Sequence, residues 1–144
     1  MNFIPKEQYN RILQVLPIAC VDVAIISNRQ LLVIRRGEFE TYGGLWWIPG
    51  GRIYHGESWH SAVKRKALEE TGLNVQIDRK IQSYEEPKAA GKHFITTLFV
   101  TSLVGNTDVK LDDTSSAYKW VSSIDIFWHP LLKQMICDAE IFDV

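Results

Sequence analysis

Residues 51–73 read GRIYHGESWHSAVKRKALEETGL. Gly51 is followed after five residues by Glu57, and seven more residues separate Glu57 from Arg65. Lys66, Ala67, Leu68, Glu69, Glu70, Thr71, Gly72 and Leu73 then follow directly. Glu57 to Thr71 carries helix signals, and Gly72 is a natural C-terminal stop. On such a helix Lys66, Glu69 and Glu70 stand at i, i+3 and i+4 and share one face. Arg65 lies four residues from Glu69 and eight from Glu57. A Glu-Glu pair alone is usually a solvated helix face. Here a Gly-Gly turn, two fixed gaps, an arginine, the acidic pair and a closing Gly-aliphatic pair all coincide. Two adjacent carboxylates and a backbone carbonyl from the turn form a hard, all-oxygen set. Glu69, Glu70 and a carbonyl of the Gly50-Gly51 turn are therefore the expected ligands of Mg²⁺, with Mn²⁺ as an alternative and Zn²⁺ disfavoured.

Working outward, Tyr42 to Arg52 is dense in glycine and aromatics. Trp46 and Trp47 alternate on any strand, so one packs inside and the other stacks on a base or lines a sugar site; Trp46 is assigned that binding role. Upstream, Pro5 begins a short helix over 6–13. Leu16 to Ile26 reads as a buried strand, Asn28-Arg29 as a turn and Leu31 to Ile34 as the returning strand. Asp22 interrupts the first strand. A buried carboxylate is costly unless paired, so Asp22 is either at an edge or bulge, or functional. Downstream, Val75 to Tyr84 and Phe94 to Val104 read as strands, joined by a polar loop over Glu85 to Lys92. A second polar loop covers Gly105 to Ser116. Ala117 to Val121 is a short strand, Ser123 caps a short helical turn, and Leu131 to Ala139 is a final helix. Strands flanked by helices predict an α/β sandwich with a mixed sheet.

The length of 144 residues suits one domain, 1–144. A net charge of −1 without blocks of like charge gives no field for nucleic acid or a membrane surface. Cys20 and Cys137 both lie in apolar stretches and have no metal or framework spacing, so both are expected as buried free thiols. No apolar signal core occupies Met1 to Glu7, and no apolar run approaches the ~20 residues of a membrane span. These features predict a cytoplasmic protein.

The pattern of Gly51, Glu57, Arg65, Ala67, Glu69, Glu70, Gly72 and Leu73 resembles the Nudix box, and Leu45 to Gly51 resembles that family's lead-in. The resemblance implies an α/β/α sandwich, Mg²⁺ dependence and substrates of the form nucleoside diphosphate linked to X. It also exposes a departure: Lys66 stands where the box has glutamate. A charged lysine cannot ligate Mg²⁺, repels a second cation and attracts phosphate. One metal is therefore expected, with Lys66 on the substrate side.

A subfamily that also departs at this glutamate is the GDP-mannose mannosyl hydrolases, in which water displaces GDP at the anomeric carbon. Pro17 to Val23 is similar to their first strand, with Asp22 as its aspartate. Arg36 and Arg52 match the arginines that contact the diphosphate, and Tyr118-Lys119-Trp120 resembles their closing strand. The resemblance implies Arg36, Arg52, Asp22 and Glu70 as catalytic residues, with Arg36, Arg52 and Asp22 also binding substrate, and a homodimer. Two departures stand out. Ser115 occupies the place of the subfamily's basic histidine, and Glu69 the place of an alanine. His93, Glu86, Asp112 and Asp113 are then the candidate bases. A pyrophosphatase attacking phosphorus and a non-catalytic nucleotide-binding module are the alternatives.

Overall fold

The computed structural model describes residues 3–40, 42–89 and 91–142, the side chains of 87–89 excepted. In chain order the elements are α1 (Lys6–Val15), β1 (Ile18–Ser27), β2 (Gln30–Arg36), β3 (Trp46–Trp47), β4 (Gly50–Arg52), α2 (Trp59–Thr71), β5 (Val75–Ala89), β6 (Lys92–Leu103), β7 (Ser115–Val121) and α3 (Pro130–Asp138). The strands form one mixed sheet. β1 and β6 are parallel, while β1–β2, β1–β4, β2–β3, β2–β7 and β5–β6 are antiparallel.

A fork in this sheet places the site. Asn28 and Arg29 turn the chain at φ 50° and 62°, the left-handed pair that a two-residue hairpin turn needs. β1 and β2 pair at Ile26–Leu31 and Ser27–Gln30 and then take different partners. β1 runs on between β6 and β4, with Asp22 opposite Gly50. β2 runs on between β7 and β3, with Ile34 opposite Trp47. Ile48-Pro49 connects β3 to β4 across the fork.

Side chains alternate across the sheet. Val21, Val23, Ile25, Leu32 and Phe99 pack on one face with Ala62, Val63 and Ala67 of α2. Ala24, Leu31, Val33, Leu98 and Val100 pack on the other with Leu132, Met135 and Ile136 of α3. Each such buried aliphatic stabilises the fold by about 1.5–3 kcal/mol relative to an exposed one. The expected α/β/α sandwich is thus present. α2 begins at Ser58, whose hydroxyl accepts from the Ser61 amide at 3.1 Å, and it stops at Gly72, at φ 71°.

Three expectations are corrected. The polar stretch from Glu85 is strand, not loop, because β5 and β6 continue almost to their turn, pairing at Ala89–Lys92. β5 is an edge strand, so charged residues on it meet water and do not interrupt pairing. Ser123 caps no helix; the next turn is set by Asp125, whose Oδ1 accepts from the Phe127 amide at 2.8 Å. Cys20 is buried, but Cys137 is exposed, off the face through which α3 packs Leu132, Met135 and Ile136 inward. Among the described residues no helix is long and apolar enough to cross a membrane.

Candidate active site

Asp22 is neither at an edge nor on a bulge. It sits in the middle of the sheet, 7% exposed. Its Oδ2 accepts from the Thr96 hydroxyl at 2.6 Å, and its Oδ1 from the Trp47 indole N–H at 3.3 Å. Burial pushes the Asp22 carboxyl above the ordinary range, opposed by the Thr96 bond, the charge of Arg36 and the Trp47 bond.

Beside Asp22 lies a cavity of about 300 Å³. Asp22, Arg36, Arg52, Glu86, Gly50 and Gly51 supply its polar wall, and Tyr9, Tyr42, Trp47 and Phe94 its aromatic wall. The structure therefore brings together Asp22, Arg36, Arg52 and Gly50 from three strands, β1, β2 and β4. Arg36 faces the cavity, and its neighbour Arg35 is exposed, donating Nε–H to the Gly44 carbonyl at 3.1 Å. The Arg52 guanidinium lies over the Tyr9 ring at 4.6 Å and the Tyr54 ring at 5.1 Å. Tyr9 comes from α1, so the N-terminal helix forms part of the wall.

Trp46 and Trp47 divide as strand alternation requires, but Trp47 is the one in the cavity wall. It is 3% exposed and stacks on Tyr42 at 4.6 Å and 11°. Trp46 is not among the lining residues; it carries the Lys119 ammonium over its ring at 4.3 Å. The reason is register: with Ile34 opposite Trp47, the second tryptophan shares the inward side.

Glu86, on β5, is 9% exposed, and its Oε2 accepts from the Tyr42 hydroxyl at 3.3 Å. Burial pushes its carboxyl up to about 7, with the Asp22 charge adding and the Tyr42 bond and Arg36 opposing. Of the other candidate bases, none lines the cavity. Asp112 accepts from the Thr114 amide at 3.0 Å and hydroxyl at 2.6 Å. His93 Nε2 is buried with no partner among the described residues, as is the Ser115 hydroxyl.

On the opposite side of β4, α2 brings its carboxylates to the glycine pair. Glu70 is 2% exposed, and the Gly50 amide donates to its Oε2 at 2.7 Å. Burial pushes Glu70 up to about 7, opposed by Lys66, the Gly50 N–H and Arg36, with Asp112 adding. A Cβ on Gly51 would meet Lys66 Cε at 2.7 Å, so the lysine stem lies flat against this residue. Lys66 Nζ is 3.4 Å from Glu69 Oε2, which also pairs with Arg65 at 3.2 Å. Glu69 is thus at the rim, with a side chain 43% exposed, and neither it nor Lys66 lines the cavity. Arg65 clamps the loop to the helix. Nε and Nη2 donate to both Glu57 oxygens at 2.7 and 2.9 Å, and Nη2 donates to the Arg52 carbonyl at 3.0 Å.

The carboxylate of Glu70 tests the fit of a divalent cation. It is buried, forms no ion pair among the described residues and has one described backbone donor. A hard cation would stabilise its charged form. Among the described residues no cluster of three or more His, Cys, Asp or Glu is present, so few protein ligands are on offer. The buried Glu70 carboxylate is a hard oxygen donor of the kind Mg²⁺ takes, and Mg²⁺ keeps several waters and substrate oxygens beside its protein ligands.

Residues 17–142 match the model of the NUDIX domain. The chain belongs to the Nudix domain family. It is a Nudix hydrolase, an enzyme and not a mere binding module, and such hydrolases act on nucleoside-diphosphate derivatives with divalent cations such as Mg²⁺. A Bacillus subtilis relative named "Putative 8-oxo-dGTP diphosphatase" is 32% identical over 82% of this chain and 76% of its own. The Haloferax volcanii "Low-salt glycan biosynthesis protein Agl8" is 28% identical over 81% of this chain and 78% of its own. A solved NUDIX hydrolase from Nitrosomonas europaea superposes with a TM-score of 0.73 at 26% identity, covering 86% of this chain and 88% of that one.

Several wall residues carry no motif. Tyr9, Tyr42, Thr96 and Phe94 lie outside the box and its lead-in. Thr96 had a signal: a carboxylate in a buried strand needs a donor on the neighbouring strand, and Thr96, Thr97, Thr101 and Ser102 are the hydroxyls of β6.

Proposed function

We propose that this Nudix hydrolase cleaves a nucleoside-diphosphate sugar of the GDP-mannose kind, with water displacing the nucleoside diphosphate at the anomeric carbon. One observation carries the reading: Lys66 lies against Gly51 with its ammonium 3.4 Å from Glu69. A fixed positive charge occupies the position where the box places another carboxylate. It disfavours a second cation and so favours chemistry that needs charge stabilisation on one side only.

Attack at carbon has that requirement. As the C–O bond breaks, negative charge grows on the leaving diphosphate. Arg36 and Arg52 reach the cavity from two strands and can bind that charge as it develops. The rings of Tyr9 and Tyr54 hold the Arg52 guanidinium in place, which limits the reorganisation it needs. Glu70, the Gly50 carbonyl and Glu69 would hold a divalent cation, which would supply Lewis-acid charge to the leaving diphosphate. Asp22, fixed by Thr96 and Trp47, lines the cavity and is placed to stabilise positive charge on the sugar carbon. The name of the Haloferax relative, a glycan biosynthesis protein, agrees with a sugar nucleotide.

Hydrolysis of GDP-mannose in ¹⁸O water with Mg²⁺ tests the reading. Label is expected in mannose, with GDP released unlabelled. Label in a phosphate product would remove it and leave the second reading, a pyrophosphatase attacking phosphorus. The retained Glu69-Glu70 pair and the name of the Bacillus relative favour that second reading.

A further inference from the structure

We propose that Glu86 is the general base of this hydrolase, accepting the proton of the attacking water, and that Tyr42 is its positioning residue. The inference rests on the reading that the cavity beside Asp22 is where hydrolysis occurs.

Geometry selects Glu86 by what else each carboxylate is doing. Asp22 already accepts one donor on each oxygen. Glu70 is engaged with the Gly50 amide on the helix side of β4, and Glu69 is ion-paired at the rim. Asp112 closes its own loop turn and lies outside the cavity wall. Glu86 alone among these lines the cavity with a single described donor, the Tyr42 hydroxyl on Oε2. Its position on β5, opposite Phe94 of β6, sets it across the cavity from the arginines' strands. Asp22 and Cys20 face it from β1, Arg36 from β2 and Tyr42 from the segment before β3.

In the step, the water oxygen bonds to the anomeric carbon as the carbon–oxygen bond to the diphosphate breaks. The bonding pair leaves with the diphosphate, and the water proton passes to a Glu86 oxygen. A base works best with a proton affinity near the operating pH, and Glu86 sits at about 7. Tyr42 is pushed up to about 12, so it remains a donor and holds the carboxylate without competing for the proton.

The test uses the full chain with Mg²⁺ and GDP-mannose, comparing wild type, Glu86→Gln, Glu86→Ala and Tyr42→Phe. Glu86→Gln is expected to lower kcat by about 10²–10⁴-fold with KM little changed. It should also erase the acidic limb of the pH profile. Added formate should restore part of the activity of Glu86→Ala. Tyr42→Phe removes a bond that favours the charged carboxylate, so the acidic limb should move to higher pH while turnover persists. A ¹³C carboxyl resonance that titrates near 7 and vanishes in Glu86→Gln supplies a readout free of turnover. A Glu86→Gln enzyme that melts normally and keeps wild-type kcat and pH profile overturns the inference. The ¹⁸O result on wild type judges the reaction class separately. If GDP-mannose is inert, the same variants are compared on whichever nucleoside triphosphate is turned over, and an unaffected Glu86→Gln overturns it there too.

Discussion

Replacing Arg65 by lysine keeps a positive charge on α2 and removes the guanidinium fork. In the native chain that fork makes two bonds to Glu57, at 2.7 and 2.9 Å, and one to the Arg52 carbonyl at 3.0 Å. The guanidinium also lies 3.8 Å from the Tyr54 ring centroid. Lysine can keep one contact with Glu57 but cannot span both oxygens and the Arg52 carbonyl. Two hydrogen bonds to charged groups correspond to about 3–6 kcal/mol before compensation. The side chains are 17% and 13% exposed, so water and the remaining ion pair recover part of this. A net loss of about 2 kcal/mol follows. With a urea slope of about 2 kcal/mol/M, the midpoint should fall by about 1 M at unchanged slope.

Tryptophan fluorescence in a urea series at pH 7 reads this directly. A midpoint shift under about 0.25 M would refute the assignment of the clamp, since that is about 0.5 kcal/mol at the same slope. The acid side gives an independent check. The Arg65 bond does most to hold Glu57 below its ordinary 4.5; burial opposes it next, and the Tyr54 amide and the charges of Arg65 and Lys66 add smaller lowering effects. A carboxyl lowered in the fold contributes stability that is present above the unfolded value and is lost as pH falls through the folded one. The stability gap between wild type and Glu57→Gln should therefore be full near neutrality and close below about pH 4.5.

Gly50→Ala places a methyl 2.6 Å from both Asp22 Oδ1 and the Val21 carbonyl, whereas Gly51→Ala meets only the flexible Lys66 stem. Thermal melts should show a cost of about 1–3 kcal/mol for the first and under about 1 kcal/mol for the second. Thr96→Val leaves Asp22 Oδ2 buried without its 2.6 Å donor, so stability at pH 7 should drop by about 1–3 kcal/mol, read by urea titration. Lys66→Glu places a third carboxylate beside Glu69 and Glu70; calorimetry should find Mg²⁺ bound about tenfold more tightly or better, since a unit charge at 4 Å near a surface exerts up to ~4 kcal/mol. On the proposed mechanism the same variant should shift products from nucleoside diphosphate toward monophosphate, and unchanged products would count against the role given to Lys66.

Much of α2 and its ends was legible because helical spacing and capping are local. The Glu57–Arg65 separation and Gly72 need only 3.6-residue geometry to acquire meaning, whereas the cap at Ser58 was passed over. Asp22 was legible as an anomaly, a carboxylate in a β-branched run, yet its two donors come from residues 25 and 74 positions away. The choice between Trp46 and Trp47 depends on which of them pairs with Ile34, and no local rule sets that register. The polar outer half of the β5–β6 hairpin looked like loop because an edge strand tolerates the same residues that loops prefer. Tyr9 was invisible for another reason: a tyrosine on an amphipathic helix packs against anything, and only the docking of α1 puts it over Arg52.

The glycine pair of β4 explains why one short strand can serve both sides of the chemistry. Successive residues of a strand face opposite sides. The side position of Gly50 is filled by Asp22 and that of Gly51 by Lys66, so each missing Cβ admits a charged group from a different element. A side chain at Gly50 would hold β1 away from β4, and one at Gly51 would displace the Lys66 stem. The Gly50 amide could then no longer reach Glu70 at 2.7 Å while its residue still pairs with Asp22. Two buried carboxylates are thereby held on opposite sides of one backbone segment. Their burial is costly, since it pushes both carboxyls upward. The bonds from Thr96, Trp47 and the Gly50 amide, with the charges of Arg36 and Lys66, favour their charged forms. A fold selected for stability alone would have placed apolar residues at 22 and 70.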